Sequence, residues 1–311
     1  MDLKPGANIA VKQCMNIQKD ESVLIITDKN MPKEIAKILF ECSKKITRNT
    51  VIKTIEPLKR NGEEPSKETA ELMKSPNVLF LVTSKSLSHT NARMNASKSG
   101  VRIASMPNIP ISSFIDGGLI ANYRKVNDNC KRMFDEIKDK KNIHLTSLNG
   151  TDLKMKIGQY RLDIDDGFYH ELGDFGNLPA GEVDTSPDKY SSNGILVVDK
   201  MGEYGDNIKI TIKNGFAIKI ENSDKLKSEV IRLGMHSRNI AEIGIGTNPK
   251  AKIIGNTLED EKVYGTVHVA LGNNKTYGGD SDIGFHVDGI ILNPTLKVDE
   301  KFLIKGGKWV I

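Results

Sequence analysis

The stretch "SVLIITDKNMPKEIAKILFECSKKITRNTVIKTIE", residues 22–56, decides the fold of the first half of the chain. It opens with a short apolar run, SVLIIT (22–27), that reads as a buried strand. MPKEIAKILFECSKK (31–45) follows, with Ile35, Ile38, Leu39 and Cys42 at helical spacing, and TVIKTIE (50–56) is a second strand. Strand, helix and strand in this order build a parallel sheet. The rhythm continues outward. SKETAELMKS (66–75) is a helix with Ser66 as its N-cap, NVLFLVTS (77–84) a third strand and VRIASM (101–106) a fourth. A long helix is expected from Leu119 to Lys138. The first half therefore reads as an α/β domain on a mostly parallel, doubly wound sheet. It contains no GxGxxG or GxxxxGK[ST], so nothing marks a nucleotide site.

The second half changes character, and the boundary is expected between residues 138 and 150, giving domains 1–142 and 143–311. Mostly antiparallel strands are expected here, making an α+β domain. DLKMKI (152–157) and YRLDID (160–165) suggest a hairpin across Gly158-Gln159. NIKITIK and FAIKIE (207–221) flank Asn214-Gly215, the dipeptide of a type I′ turn. SDKLKSEVIRLG (223–234) reads as a short helix capped by Ser223 and stopped by Gly234. Strands follow in NIAEIGIGTNP, YGTVHVALG and FHVDGIIL, and a terminal hairpin in TLKVDEKFLIKGGKWVI.

Bulk properties narrow the function classes. The 311 residues are 27% charged and 38% hydrophobic, ordinary values for a globular chain. The net charge of +5 is scattered, so no nucleic-acid partner is expected. Cys14, Cys42 and Cys130 lie far apart and read as reduced thiols. The opening MDLKPGANIAVKQC has no apolar h-region, and no run approaches a membrane span, so a cytoplasmic protein without a membrane partner is expected.

Four apolar, Gly-rich stretches of the second half each carry potential metal ligands. GNLPAGEVDTSP (176–187) holds Glu182, RNIAEIGIGTNP (238–249) holds Glu242, GTVHVALG (265–272) holds His268, and GFHVDGII (284–291) holds His286 and Asp288. His286 and Asp288 are two residues apart and share a strand face. Burying an unpaired carboxylate costs several kcal/mol, on the order expected for any uncompensated charge. Five such groups are acceptable together if they converge on a divalent cation. With carboxylates and imidazoles and no Cys, the set suits Zn²⁺, Mn²⁺, Co²⁺ or Fe²⁺, and it could serve two ions sharing a bridging carboxylate. The alternatives are local: a core histidine, a turn capped by Glu182, or Glu242 paired with Arg238 or Arg232. The glycines of GIG (244–246) would let backbone approach a ligand closely.

These stretches, GNLPAGEV (176–183), AEIGIGTNP (241–249), EDEKVYGTVHVALG (259–272) and HVDGII (286–291), resemble the metallo-aminopeptidases of the aminopeptidase T, or thermophilic leucyl aminopeptidase, type. The resemblance implies a homodimer, and two divalent ions per chain (Zn, Co or Mn) held by Glu182, Glu242, His268, His286 and Asp288. It implies a hydrolase that cuts peptides with a free N-terminus by metal-activated water. In that scheme Glu182 and Tyr277 are the catalytic candidates: a Glu not fully occupied by metal, which one being open, carries a proton, and Tyr277 donates to the oxyanion; Tyr277 could equally be a loop tyrosine. Asp184 stands where members often have an aromatic or aliphatic residue. A second reading takes His268, His286 and Asp288 as the two-His, one-carboxylate set of a mononuclear Fe²⁺ oxygenase. A ring-cleaving dihydroxypyridine dioxygenase is a relative of the aminopeptidases, and the two extra acids weigh towards the hydrolase. A third reading is a binding protein without catalysis.

Overall fold

The computed structural model describes residues 2–311, and Met1 lies outside them. The chain divides into two compact units. The first gathers the chain up to Asn127 with Asp165–Ala180 and Asn248–Glu259; the second gathers Asp128–Ile164, Gly181–Thr247 and Asp260–Ile311.

In the first unit, five parallel strands run in the order Thr50–Ile55, Val23–Asp28, Val78–Val82, Arg102–Ser105 and Phe175–Asn177. Val23–Asp28 and Val78–Val82 are buried throughout, as their unbroken apolar runs require. Helix Lys33–Lys44 buries Ile35, Ala36, Leu39 and Cys42 along one stripe. Ser66 caps Lys67–Leu72 by accepting from the Thr69 N–H at 3.2 Å. Two expectations are corrected here. The long helix is Tyr123–Ile137, because Gly117 and Gly118 hold the preceding residues in a separate 3₁₀ turn, Gly118–Ile120. The fifth strand, FGN, has no apolar run of its own; pairing of Phe175 with Ile103 makes it a strand.

In the second unit, thirteen strands among the described residues form one sheet, and the pairings assigned between them are antiparallel. Asn214 (φ 48°) and Gly215 (φ 78°) turn strand Asp206–Lys213 into Phe216–Glu221, as their sequence demands. Ser223 caps helix Asp224–Leu233, and Gly234 (φ 81°) ends it. The hairpin expected across Gly158-Gln159 does not form. Asp152–Lys156 pairs with Asn142–Thr146 and Asn193–Lys200, and Leu162–Asp165 lies at the far edge beside Glu182–Thr185. Among the described residues no helix is long and apolar enough to cross a membrane.

Four neighbouring strands of this sheet matter most: His286–Ile291, Val267–Gly272, Ile240–Gly246 and Glu182–Thr185. They join the four ligand-bearing stretches side by side, although up to 104 residues of sequence (182 to 286) separate them.

Candidate metal centre

Cross-strand register decides which side chains share a face. Asp288 lies opposite Ala270, and Ala270 opposite Glu242. His286 lies opposite Gly272, His268 opposite Gly244, Gly244 opposite Asp184, and Gly246 opposite Glu182. One face therefore alternates ligands with Ala and Gly, which leaves volume for the ligands to lean together. Gly244 shows the need directly: a Cβ there would stand 2.1 Å from His268 Nε2. At Gly246 a Cβ would stand 2.1 Å from the Val263 carbonyl, so this glycine admits the turn that precedes the His268 strand. The GIG glycines thus make room for a side chain and a neighbouring backbone rather than for a ligand.

All five expected ligands converge. Glu242 lies between the two imidazoles, with Oε1 3.1 Å from His268 Nε2 and Oε2 3.1 Å from His286 Nε2. Asp288 Oδ1 is 3.4 Å from His286 Nε2, and Glu182 Oε2 is 3.4 Å from His268 Nε2. The donor atoms form two groups, Glu182–Glu242–His268 and Glu242–His286–Asp288, each within 4.8 Å, with Glu242 common to both. Of the local alternatives for Glu242, Arg232 pairs instead with Glu229 at 2.5 Å.

The charges respond to one another. Burial pushes the Glu242 carboxyl up, but hydrogen bonds from His268 and His286 outweigh it and hold the group well below the usual range. Burial opposes charge on His268, yet the Glu242 hydrogen bond and the Glu182 charge push it up to about 10. His286 is raised too, against its burial, by the Asp288 charge and by its close contacts with Asp288 and Glu242. Without an ion, the imidazoles act as the cations of the cluster.

Three observations fit a bound metal. His286 Nδ1 is 2.8 Å from the Asn273 carbonyl, which can only accept, so Nδ1 carries the proton and Nε2 faces the carboxylates. Asp288 Oδ1 and Glu182 Oε2 are buried and receive no hydrogen bond. The set of two imidazoles and several carboxylates, with no thiolate, is the donor chemistry of Fe²⁺, Mn²⁺, Co²⁺ or Zn²⁺.

Residues outside the expected set complete the surroundings. Lys262 is fully buried, and its ammonium contacts Glu182 Oε1 and, at 2.8 Å, Glu261 Oε1. Burial pushes the Glu261 carboxyl up to about 8 despite Lys262, with Asp288 and Glu182 adding to the rise. In the sequence this pair belongs to the charged run EDEK, which looks like a solvated turn. Tyr277 sits on the loop between two ligand strands, and its hydroxyl donates to Asp184 Oδ1 at 2.6 Å. Burial, then the Glu182, Glu242 and Asp163 charges, push the Asp184 carboxyl well up. Asn274 fastens the loop by donating to Ser186 Oγ (3.0 Å) and accepting from the Ser281 N–H (3.0 Å).

Comparison with known proteins adds the following. The family model described as NicX: 2,5-dihydroxypyridine 5,6-dioxygenase matches residues 8–311. A 2,5-dihydroxypyridine 5,6-dioxygenase of Pseudomonas putida KT2440 is 26% identical over 194 residues, which span 55% of this chain and 55% of that protein. The solved structure of 2,5-dihydroxypyridine dioxygenase from Pseudomonas putida KT2440 superposes with a TM-score of 0.84 at 17% identity, covering 99% of this chain and 96% of that one. Wild-type AmpT from Thermus thermophilus superposes with a TM-score of 0.68 at 15% identity, covering 99% of both chains. At these identities the two structures establish a shared fold. The family match overturns the peptidase expectation: a dioxygenase family replaces the hydrolase, and the peptide with a free N-terminus falls with it. The pair of Zn, Co or Mn ions loses its support for the same reason, while a metal centre as such keeps it. AmpT stands as a relative in fold.

Proposed function

The chain belongs to the 2,5-dihydroxypyridine 5,6-dioxygenase family, and on that premise we propose that it is a mononuclear non-haem Fe(II) dioxygenase that opens a hydroxylated pyridine ring. The observation that carries the reading is that His268, His286 and Asp288 share one sheet face, with both imidazoles 3.1 Å from the same Glu242 carboxylate, in a chain whose residues 8–311 match that family. These three would hold the iron as a two-His, one-carboxylate set. Glu242, 3.1 Å from both Nε2 atoms, is the nearest further oxygen donor. Bound Fe(II) supplies the one-electron chemistry that lets dioxygen react with a spin-paired ring. In the overall reaction one O₂ is consumed, both oxygen atoms enter the product, and the bond between ring carbons 5 and 6 breaks.

The chain's own groups bind, orient and move protons. The Asn273 carbonyl holds the His286 ring with Nε2 inward. Glu182 Oε2, buried and without a hydrogen-bond donor, is placed to accept a proton from a ring hydroxyl. Tyr277, whose hydroxyl is turned to the acids by its bond to Asp184, is assigned to orient that ring hydroxyl. This keeps both residues in the reaction but changes their task from peptide hydrolysis to substrate activation.

Labelling tests the reading. Iron-loaded protein given ¹⁸O₂ and 2,5-dihydroxypyridine should yield a ring-opened product carrying both labelled atoms, and His268→Ala or Asp288→Ala should yield none. A product labelled from solvent water instead would refute it.

A further inference from the structure

Lys262 has no part in holding iron or turning over the ring, yet it lies against the metal centre. Its side chain is fully buried, with the ammonium on Glu182 Oε1 and on Glu261 Oε1 at 2.8 Å. The other oxygen of Glu182 is 3.4 Å from His268 Nε2. Glu182 is thus divided between a lysine and the ligand cluster.

The donor groups Glu182–Glu242–His268 and Glu242–His286–Asp288 share one carboxylate. Two ions about 3.5–4 Å apart are commonly held by such a pair of overlapping sets with a bridging carboxylate. Here the Glu182 half already contains a cation. The lysine is also fixed in place: its turn presses on Gly246, where a Cβ would stand 2.1 Å from Val263 O and 2.9 Å from Glu261 O. Two residues after Val263 comes Gly265, at φ 90°, and the chain then enters the strand that carries His268. The ammonium is fully buried between two carboxylates, so a divalent ion on Glu182 would meet it at close range. Like charges at such a separation repel strongly at the effective dielectric of a protein site.

We propose that Lys262 is a built-in cation that stands where a second metal ion would bind and so keeps the centre mononuclear. The inference rests on the single-iron reading above. It makes Lys262 a positioning residue that sets metal number, and it makes Glu182–Glu242–His268 a latent site for a divalent cation with mixed oxygen and nitrogen ligands.

The test is metal stoichiometry, which an ordinary buried ion pair would leave unchanged. Wild type, Lys262→Arg and Lys262→Met are incubated anaerobically with excess Mn²⁺, desalted and analysed for metal and by Mn²⁺ electron paramagnetic resonance. Wild type and Lys262→Arg should hold about one ion per chain and give an isolated-ion spectrum, whereas Lys262→Met should approach two ions with an exchange-coupled spectrum. One ion in both wild type and Lys262→Met overturns this inference and leaves the iron reading standing. No ion in wild type overturns both. If Lys262→Met folds only with Mn²⁺ present, and then with two ions, the proposal stands. If it folds only when Glu182→Gln is added, with no dependence on Mn²⁺, the lysine is a plain charge partner and the proposal fails.

Discussion

Glu242 touches both imidazoles, and that single carboxylate ties the ligand residues into one electrostatic unit. Without an ion His268 is pushed up to about 10 and His286 is raised as well, both towards the protonated form, by the carboxylates that face them. An incoming ion needs their lone pairs and must displace those protons. Metal affinity should therefore fall as pH falls, and binding at pH 7 should release protons. Calorimetry in buffers of different ionisation enthalpy would reveal them, and identical heats in every buffer would count against this picture. Gly244→Ala offers a steric test: its Cβ would stand 2.1 Å from His268 Nε2, so the ring must move. A loss of metal affinity of roughly 10–100-fold is expected, comparable to losing an orienting partner of a ligand. The five candidate ligands stand out in sequence because acids and imidazoles embedded in apolar strands are conspicuous. Lys262 was not legible, since EDEK shows nothing to distinguish a buried lysine from a solvated one.

At the scale of elements, the strands read well where pattern and punctuation agree. Asn214-Gly215 forms its tight turn and Ser223 caps its helix through the Leu226 N–H at 3.2 Å. Ser223→Ala should cost about 1 kcal/mol of stability, within the usual range for a lost N-cap, and leave metal content unchanged. Thermal unfolding with metal analysis would check both halves of that statement. Local pattern failed where pairing is decided at a distance. Gly158-Gln159 looks like a hairpin turn, but Asp152–Lys156 finds its partners in Asn142–Thr146 and Asn193–Lys200. Phe175–Asn177 has three residues and a central glycine, and it becomes a strand through its parallel neighbour Arg102–Ser105. The ligand face shows the same dependence. Ala270 and Gly272 carry no signal in sequence, and the glycines of GIG (244–246) signal a close approach without saying of what; all four gain their meaning in cross-strand register with the candidate ligands.

Across the whole molecule, the two units interleave along the chain, because Asp165–Ala180 and Asn248–Glu259 return to the first unit. Neither segment has a composition of its own that would announce this. The reaction class was illegible for a related reason. The same imidazoles and carboxylates can serve a dinuclear hydrolase or a mononuclear oxygenase, and the choice turns on ion number and redox chemistry rather than on ligand types. A bound ion should also stabilise the fold, by about 2.7 kcal/mol at a free concentration of 100 times Kd. Differential scanning calorimetry with and without a chelator would measure this as a rise in Tm, and an unchanged Tm would argue against a metal held by the native state. The most direct test of the central claim is oxygen uptake by protein reconstituted anaerobically with Fe(II). One O₂ consumed for each 2,5-dihydroxypyridine lost is the expected result. No uptake, with aminoacyl-anilide hydrolysis by the Zn²⁺, Co²⁺ or Mn²⁺ form instead, would contradict it.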